Sequence, residues 1–231
     1  ELNSNISSIK EDKNTVQFEN NKNKESSNAL IISIGVMPNL DKEIINNTGI
    51  KIDKEGYIET NNNYETNIKN LFAIGDIIGG PWLAHKAMHD ALNCVNYIST
   101  KKSSHKPQDN HIPGCIYSLP QIATVGYTEK QLIDNNTPYK KGNFPFLANG
   151  KSQTMSNTHG FVKTLFNSET GEFLGAHLIG PDVTEMISTF GLAITSESTE
   201  DEFINTIFAH PTLSESIHES VLSAFDKPIH F

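Results

Sequence analysis

The run GFVKTLFNSETGEFLGAHLIG, residues 160–180, constrains the fold most. Two stretches rich in aromatic and β-branched residues meet at a polar turn around Thr170-Gly171, the signature of a β-hairpin. A hairpin with this much apolar surface must be covered by another layer. The next segment, DVTEMISTFGLAIT, supplies one, with Val183, Met186, Ile187, Phe190, Ala193 and Ile194 at helical spacing. STEDEFINTIF follows with a capping box, Thr199 and Glu202, ahead of Phe203, Ile204 and Ile207. Upstream, CIYSLPQIATVGYT reads as strand and TEKQLIDN opens a short helix. Strands and helices in this order predict an α+β layer over residues 108–231.

The polar stretch STKKSSHKPQDN, residues 99–110, has no hydrophobic period and is read as a linker. Before it, NLFAIGDIIGGPWLAHKAMHDALNCVNYIS reads as a strand at Leu71–Ile74, a glycine-punctuated loop and a helix from near Leu83. KIDKEGYIET is a short hairpin turning at Glu55-Gly56, and ALIISIGVMPN a buried strand ending in a sharp turn. Residues 1–30 contain one alternating run, NTVQFEN, read as a weak hairpin with an exposed turn from Asn20 to Ser27. The expected fold class is α/β plus α+β, with an α/β portion ahead of the α+β domain.

A formal net charge of -9 over 231 residues, with basic residues scattered, leaves no footprint for nucleic acid or an anionic membrane surface. No apolar run approaches the roughly 20 residues of a membrane span. The start, ELNSNISSIKEDKN, lacks the pattern of a signal peptide and does not begin with methionine, so the interior of a longer chain is expected. Only Cys94 and Cys115 occur, without CxxC or metal-ligand spacing, which points to a reducing compartment and no metal site. Cys94 shares a helical face with Asp90, Ala91, Val95 and Ile98 and is read as core.

Two places carry chemistry. In FAIGDIIGG, Asp76 follows Gly75 at a strand's carboxyl end, where open α/β sheets bind ligands. Gly75 lets backbone come close, and the Asp76 carboxylate can accept a hydroxyl hydrogen bond. PWLAHKA then opens a helix whose first N–H groups favour negative charge. Near the C-terminus, FAHPTLSESIHES sets His210 before Pro211 and five residues before Glu215. Thr212 and Glu215 also fit a capping box ahead of Ile217, Val221 and Leu222, so the glutamate has two available roles.

LFAIGDIIGGPWLAHKA resembles the second flavin-binding motif of the flavin-dependent pyridine nucleotide-disulfide oxidoreductases. LAHKA is similar to the dihydrolipoamide dehydrogenase branch rather than to glutathione reductase. KGNFPFLANGKSQTMSNTHGFVKTL and LGAHLIGPDVTEMI resemble that branch's dimerisation domain, and AHPTLSE its catalytic signature. The resemblance runs from about residue 28 to the end. It implies that Asp76 holds the ribityl chain of FAD, and that the backbone around Trp82, Leu83, Ala84 and His85 lines the isoalloxazine ring. Gly35 would touch the nicotinamide nucleotide, NAD. His210 would be the acid/base and Glu215 its orienting partner, serving the flavin of the other subunit of a homodimer formed through residues 108–231. A thiol is mostly protonated at neutral pH, so dithiol chemistry needs a group that takes its proton and returns it, as a histidine can. The resemblance also suggests a cis His210-Pro211 bond.

Three family hallmarks are missing from these residues: a GxGxxG flavin fingerprint, a CxxxxC redox pair and a second dinucleotide fingerprint. The expectation is therefore a C-terminal half. Residues 1–40 would be the tail of the NAD-binding domain, 41–107 the closing part of the FAD-binding domain and 108–231 the interface domain. Such a chain would be inactive alone and would need its N-terminal half and the lipoyl domain of a 2-oxoacid dehydrogenase complex as partners. A bacterial cytoplasm or an organelle matrix fits. The alternatives are a non-catalytic dimerisation module, or a glutathione or mercuric reductase, which LAHKA and Leu213 disfavour.

Overall fold

The computed structural model describes residues 3–21, 23–102 and 106–230. The chain divides into two units, residues 1–39 and 40–231. In the first, β1 (Ile6–Asp12), β2 (Thr15–Asn20) and β3 (Asn23–Ser27) form an antiparallel sheet in chain order. NTVQFEN supplies β2, as its alternation implied. The expected exposed turn at Asn20–Ser27 is instead largely β3, paired Val16 to Ser27 and Asn20 to Asn23. Its side chains are polar, but it is the backbone that pairs, and an edge strand tolerates them.

ALIISIGVMPN does not form the buried strand its composition suggests. Ile31 and Ile34 are 89% and 92% exposed, and no strand among the described residues lies beside the segment. Apolar content gives a strand a reason to be buried, but only a neighbouring backbone makes it a strand.

The second unit begins with α1 (Lys42–Thr48), capped by the Asp41 carboxylate accepting from the Glu43 N–H and ended by Gly49 in the left-handed region. Ile50, Ile58 and Ala73 form a small core with Leu40, Ile45, Ile77 and Ile78. KIDKEGYIET closes on itself through one bridge, Ile52 to Ile58. The expected strand Leu71–Ile74 is reduced to a single bridge, Glu65 to Phe72, followed by a 3-10 turn at Gly75–Ile78. α2 (Ala84–Thr100) then runs as expected. It buries Cys94 as read, yet Val95 and Ile98 on the supposed core face are 63% and 43% exposed.

Residues 108 onward build the expected α+β layer. β4 (Gly114–Ile116), β5 (Gln121–Gly126), β6 (Tyr139–Pro145), β7 (Phe161–Asn167) and β8 (Phe173–Gly180) form one antiparallel sheet ordered β4-β5-β8-β7-β6. Between them lie α3 (Glu129–Asp134) and α4 (Gly150–Thr154). α5 (Val183–Thr195), α6 (Glu200–Asn205) and α7 (Glu215–Ala224) complete the unit. α5 packs on β5 and β8, and α7 on β6 and β7. Between helices and sheet, Ala123, Val125, Val162, Ala176 and Leu178 meet Val183, Ile187, Phe190, Ile217 and Val221. Each fully buried aliphatic or aromatic side chain stabilises this layer by about 1.5–3 kcal/mol before entropy is counted.

A register irregularity in the β7–β8 hairpin sets Phe166 opposite Phe173 and leaves Leu174 extra. The bulge turns Leu174 to the sheet's other side with Leu165 and Leu132, while Phe173 stacks on Phe190. α7 lies close against β6 and β7: Thr164 of β7 and Ser220 share a buried hydrogen bond of 2.9 Å, and a Cβ on Gly142 of β6 would overlap the Ser220 carbonyl oxygen. That close approach sets the position of the helix whose first residue is Glu215.

Candidate active site

His210 lies on the turn between α6 and α7. Its peptide bond to Pro211 is cis. Thr212 Oγ1 donates to the Ala209 carbonyl at 2.7 Å, and the buried Asn149 amide donates to the Thr212 carbonyl at 3.0 Å. Both ends of the turn are thus held independently of the imidazole. Glu215, the first residue of α7, bonds His210 Nδ1 through Oε1 at 2.9 Å and accepts the Thr212 N–H through Oε2 at 2.8 Å.

The two roles open to Glu215 are therefore filled together, one by each oxygen. The capping box itself is only half formed: Thr212 turns its hydroxyl to Ala209, and the helix starts after Ser214, which makes no side-chain cap. Partial burial pushes the Glu215 carboxyl up, but the Thr212 N–H and the His210 imidazole outweigh it and hold it below its ordinary value. Because the folded value is depressed, this pairing stabilises the fold above the unfolded glutamate value near ~4.3 and is lost as pH falls through the folded one.

With Nδ1 engaged, His210 presents Nε2 outward; its side chain is 77% exposed, against 30% for Glu215. It faces a cavity of about 650 Å³ whose wall includes Phe208, His218, Glu219 and His230. His218 is half-buried, with Nε2 3.2 Å from the Ile204 carbonyl oxygen and its ring against Phe208. A second imidazole–carboxylate pair joins His230 Nδ1 to Glu219 Oε1 at 2.6 Å. No local spacing signals it, because Glu219 and His230 are 11 residues apart and meet only where the chain turns back after α7.

The other constellation is the loop Gly75–Gly80 and the start of α2. Gly75, Gly79 and Gly80 all have positive φ, so the loop needs its glycines. Gly75 is buried and Asp76 exposed. Leu83, at the N-cap of α2, makes no side-chain cap, and the first turn holds no acidic residue. The N–H groups at that end have no side-chain cap and remain open to an acceptor from outside. Trp82 donates Nε1–H to the Tyr57 hydroxyl at 3.2 Å and meets its ring edge-on at 6.2 Å. Its side chain is thus committed to packing against Tyr57. His85 bonds the Pro113 carbonyl oxygen at 2.8 Å and ties α2 to the sheet domain. Leu83 is half-buried and Ala84 exposed.

The structure brings His210 and Glu215 together, and Gly75, Asp76 and residues 82–85 together, but not the two groups with one another: no residue of 75–85 lines the cavity of His210. Gly35, with φ +103°, lies on the exposed 28–40 segment, with nothing within 4 Å of where a Cβ would stand. Among the described residues no cluster of His, Cys, Asp or Glu could hold a metal ion.

Residues 1–91 match the family described as pyridine nucleotide-disulphide oxidoreductase, and residues 112–221 match its dimerisation domain. The chain belongs to this family. It is 44% identical over 208 residues to a dihydrolipoyl dehydrogenase of Zymomonas mobilis, covering 90% of this chain and 44% of that protein. A dihydrolipoyl dehydrogenase of Rhizobium etli is 39% identical over 202 residues, with 87% and 42% covered. The chain thus spans less than half the length of these curated relatives. The flavoprotein disulfide reductase RclA of Escherichia coli has the same fold, with a TM-score of 0.88 at 23% identity over 95% of this chain and 50% of its own.

Proposed function

We propose that these residues are the C-terminal portion of a dihydrolipoamide dehydrogenase. In this reading residues 1–40 close its NAD-binding domain, 41–107 close its FAD-binding domain, and 108–231 form the interface of a homodimer. The enzyme oxidises protein-bound dihydrolipoamide, delivered on a lipoyl domain, with NAD+ as acceptor: two electrons and two protons leave the dithiol, which becomes a disulfide, and NADH and a proton are released.

The observation that carries the reading is the His210–Glu215 pair. Glu215 holds Nδ1, fixing the tautomer that leaves Nε2 free to take a proton. His210 Nε2 would receive the thiol proton of the substrate so that the thiolate can attack the redox disulfide of the N-terminal half, breaking its S–S bond, and would return the proton to a departing thiolate. Glu215, kept ionised, stabilises the imidazolium in between. The exposed Asp76 carboxylate and the uncapped start of α2 suit the ribityl hydroxyls and the electron-rich pyrimidine edge of FAD. When bound, FAD carries the electrons from the thiols to the nicotinamide. That residues 75–85 stand apart from the His210 cavity supports a pair that serves the partner subunit's flavin.

Rates with alternative substrates test the assignment in the full-length flavoenzyme. NADH formation from dihydrolipoamide is expected to exceed NADPH-driven reduction of glutathione disulfide by at least about 10⁴-fold, the scale of discrimination by buried polar recognition. A preference for glutathione would overturn the substrate while leaving the pair's chemistry in place.

A further inference from the structure

Beneath the glycine loop lies a charge pair that the proposed chemistry does not use. Lys86 and Asp90, one turn apart on α2, pair at 2.8 Å with their side chains only 7% and 1% exposed. The Lys86 ammonium also donates to the carbonyls of Gly75, at 3.3 Å, and Gly79, at 3.0 Å, the two ends of the turn that carries Asp76. Asp90 takes the Gly75 N–H at 3.2 Å on one oxygen and the hydroxyl of the fully buried Tyr64 at 3.0 Å on the other. Burial raises the Tyr64 phenol to about 12, keeping it a donor. Lys106 lies over the Tyr64 ring, its ammonium 5.2 Å from the centroid, and donates to Thr60 Oγ1 at 2.7 Å.

Buried ion pairs rarely add net stability, because desolvation offsets the attraction. The partners of this one show what it accomplishes: besides each other and the Tyr64 hydroxyl, both charges bond loop backbone. A loop of three positive-φ glycines has an unusually large conformational space to lose on ordering. The pair removes that freedom before a ligand arrives, which is where preorganisation gains affinity.

We propose that Lys86 and Asp90 are positioning residues for the flavin: they pin both ends of the Gly75–Gly79 loop so that Asp76 and the start of α2 are held ready for FAD. This rests on the flavin reading above.

Two variants of the full-length flavoenzyme separate positioning from simple stability. Lys86→Met leaves Asp90 buried without its counter-ion, and is expected to lower both thermal stability and flavin content. The double change Lys86→Met with Asp90→Leu removes both charges, and its melting temperature is expected to return towards wild type. Its FAD dissociation constant should nonetheless stay raised by about 10- to 100-fold, the loss expected for charge-assisted bonds to the loop. A stable double variant with wild-type FAD affinity would overturn the proposal alone. A wild-type enzyme that binds no FAD would overturn the flavin reading and the proposal together. Amide exchange on the wild type decides the matter even if the double variant fails to fold. The Gly75 N–H should exchange slowly, as a donor to a buried carboxylate does, and exchange at the rate of an open loop amide would overturn the pinning.

Discussion

In the full-length flavoenzyme, His210→Gln is expected to lower turnover with dihydrolipoamide by about 10²- to 10⁴-fold, the usual contribution of a positioned general acid/base. Glutamine keeps a polar head near Glu215 but cannot cycle a proton at neutral pH. The surroundings predict that little else will change. The imidazole is 77% exposed, while its turn is held by Asn149 bonding Thr212 and by Thr212 bonding Ala209. Flavin content, dimer mass and melting temperature should therefore stay near wild type. Turnover within a few-fold of wild type would remove His210 from the chemistry.

Gly142→Ala is expected to be strongly destabilising through lost space alone. Unlike many glycines, Gly142 is not needed for an unusual backbone angle, since it sits in β6 without a positive φ. It is needed for space. An added methyl would overlap the Ser220 carbonyl oxygen and come within 2.9 Å of Thr164 Oγ1. A backbone carbonyl in a packed helix cannot swing aside, so α7 must shift as a body. Overpacking of this kind costs about 1–3 kcal/mol, and a rigid backbone obstacle puts Gly142 at the upper end. For a domain of this size that is roughly 6–12 °C in Tm. Because α7 begins at Glu215, the shift should also loosen the bond to His210 and depress turnover. Gly150→Ala is the control, since nothing lies within 4 Å of its added Cβ and it should be nearly neutral. Equal losses at the two positions would show that the α7–β6 approach does not matter.

Much of the interface domain was legible because its signals are local. The hairpin at residues 160–180, the apolar period of α5 and the Thr199–Glu202 box each fit within one element, and each formed where it was read. The His210–Glu215 contact was legible for the same reason: five residues separate the partners, and one turn brings them together. What failed depended on neighbours. Residues 30–35 have the composition of a core strand, but a strand requires another backbone, and sequence composition cannot say whether one is there. Leu71–Ile74 has one bridge where a strand was expected, because its chain turns at once into the Gly75–Ile78 coil. Lys86 and Asp90 stand four residues apart on a helix, a spacing that usually means a solvated surface pair, although Asp90 shares the helical face of Cys94. Only the fold shows that this pair is buried under a glycine loop 7 to 15 residues away. Likewise, Glu219 and His230 meet only because the chain after α7 turns back.

In the proposed enzyme, His210 and Glu215 complete a site only in the dimer. Subunit exchange tests it directly. Full-length subunits carrying His210→Gln are mixed with subunits in which a redox cysteine is replaced by serine, each homodimer being inactive by itself. A hybrid dimer pairs the intact His210 of one subunit with the intact dithiol of the other at one of its two sites. Recovery of up to about half the wild-type turnover per hybrid dimer is expected, as two-fold symmetry requires. Hybrid dimers demonstrated by mass but showing no recovered turnover would contradict it, and would confine the pair to its own subunit or to structure.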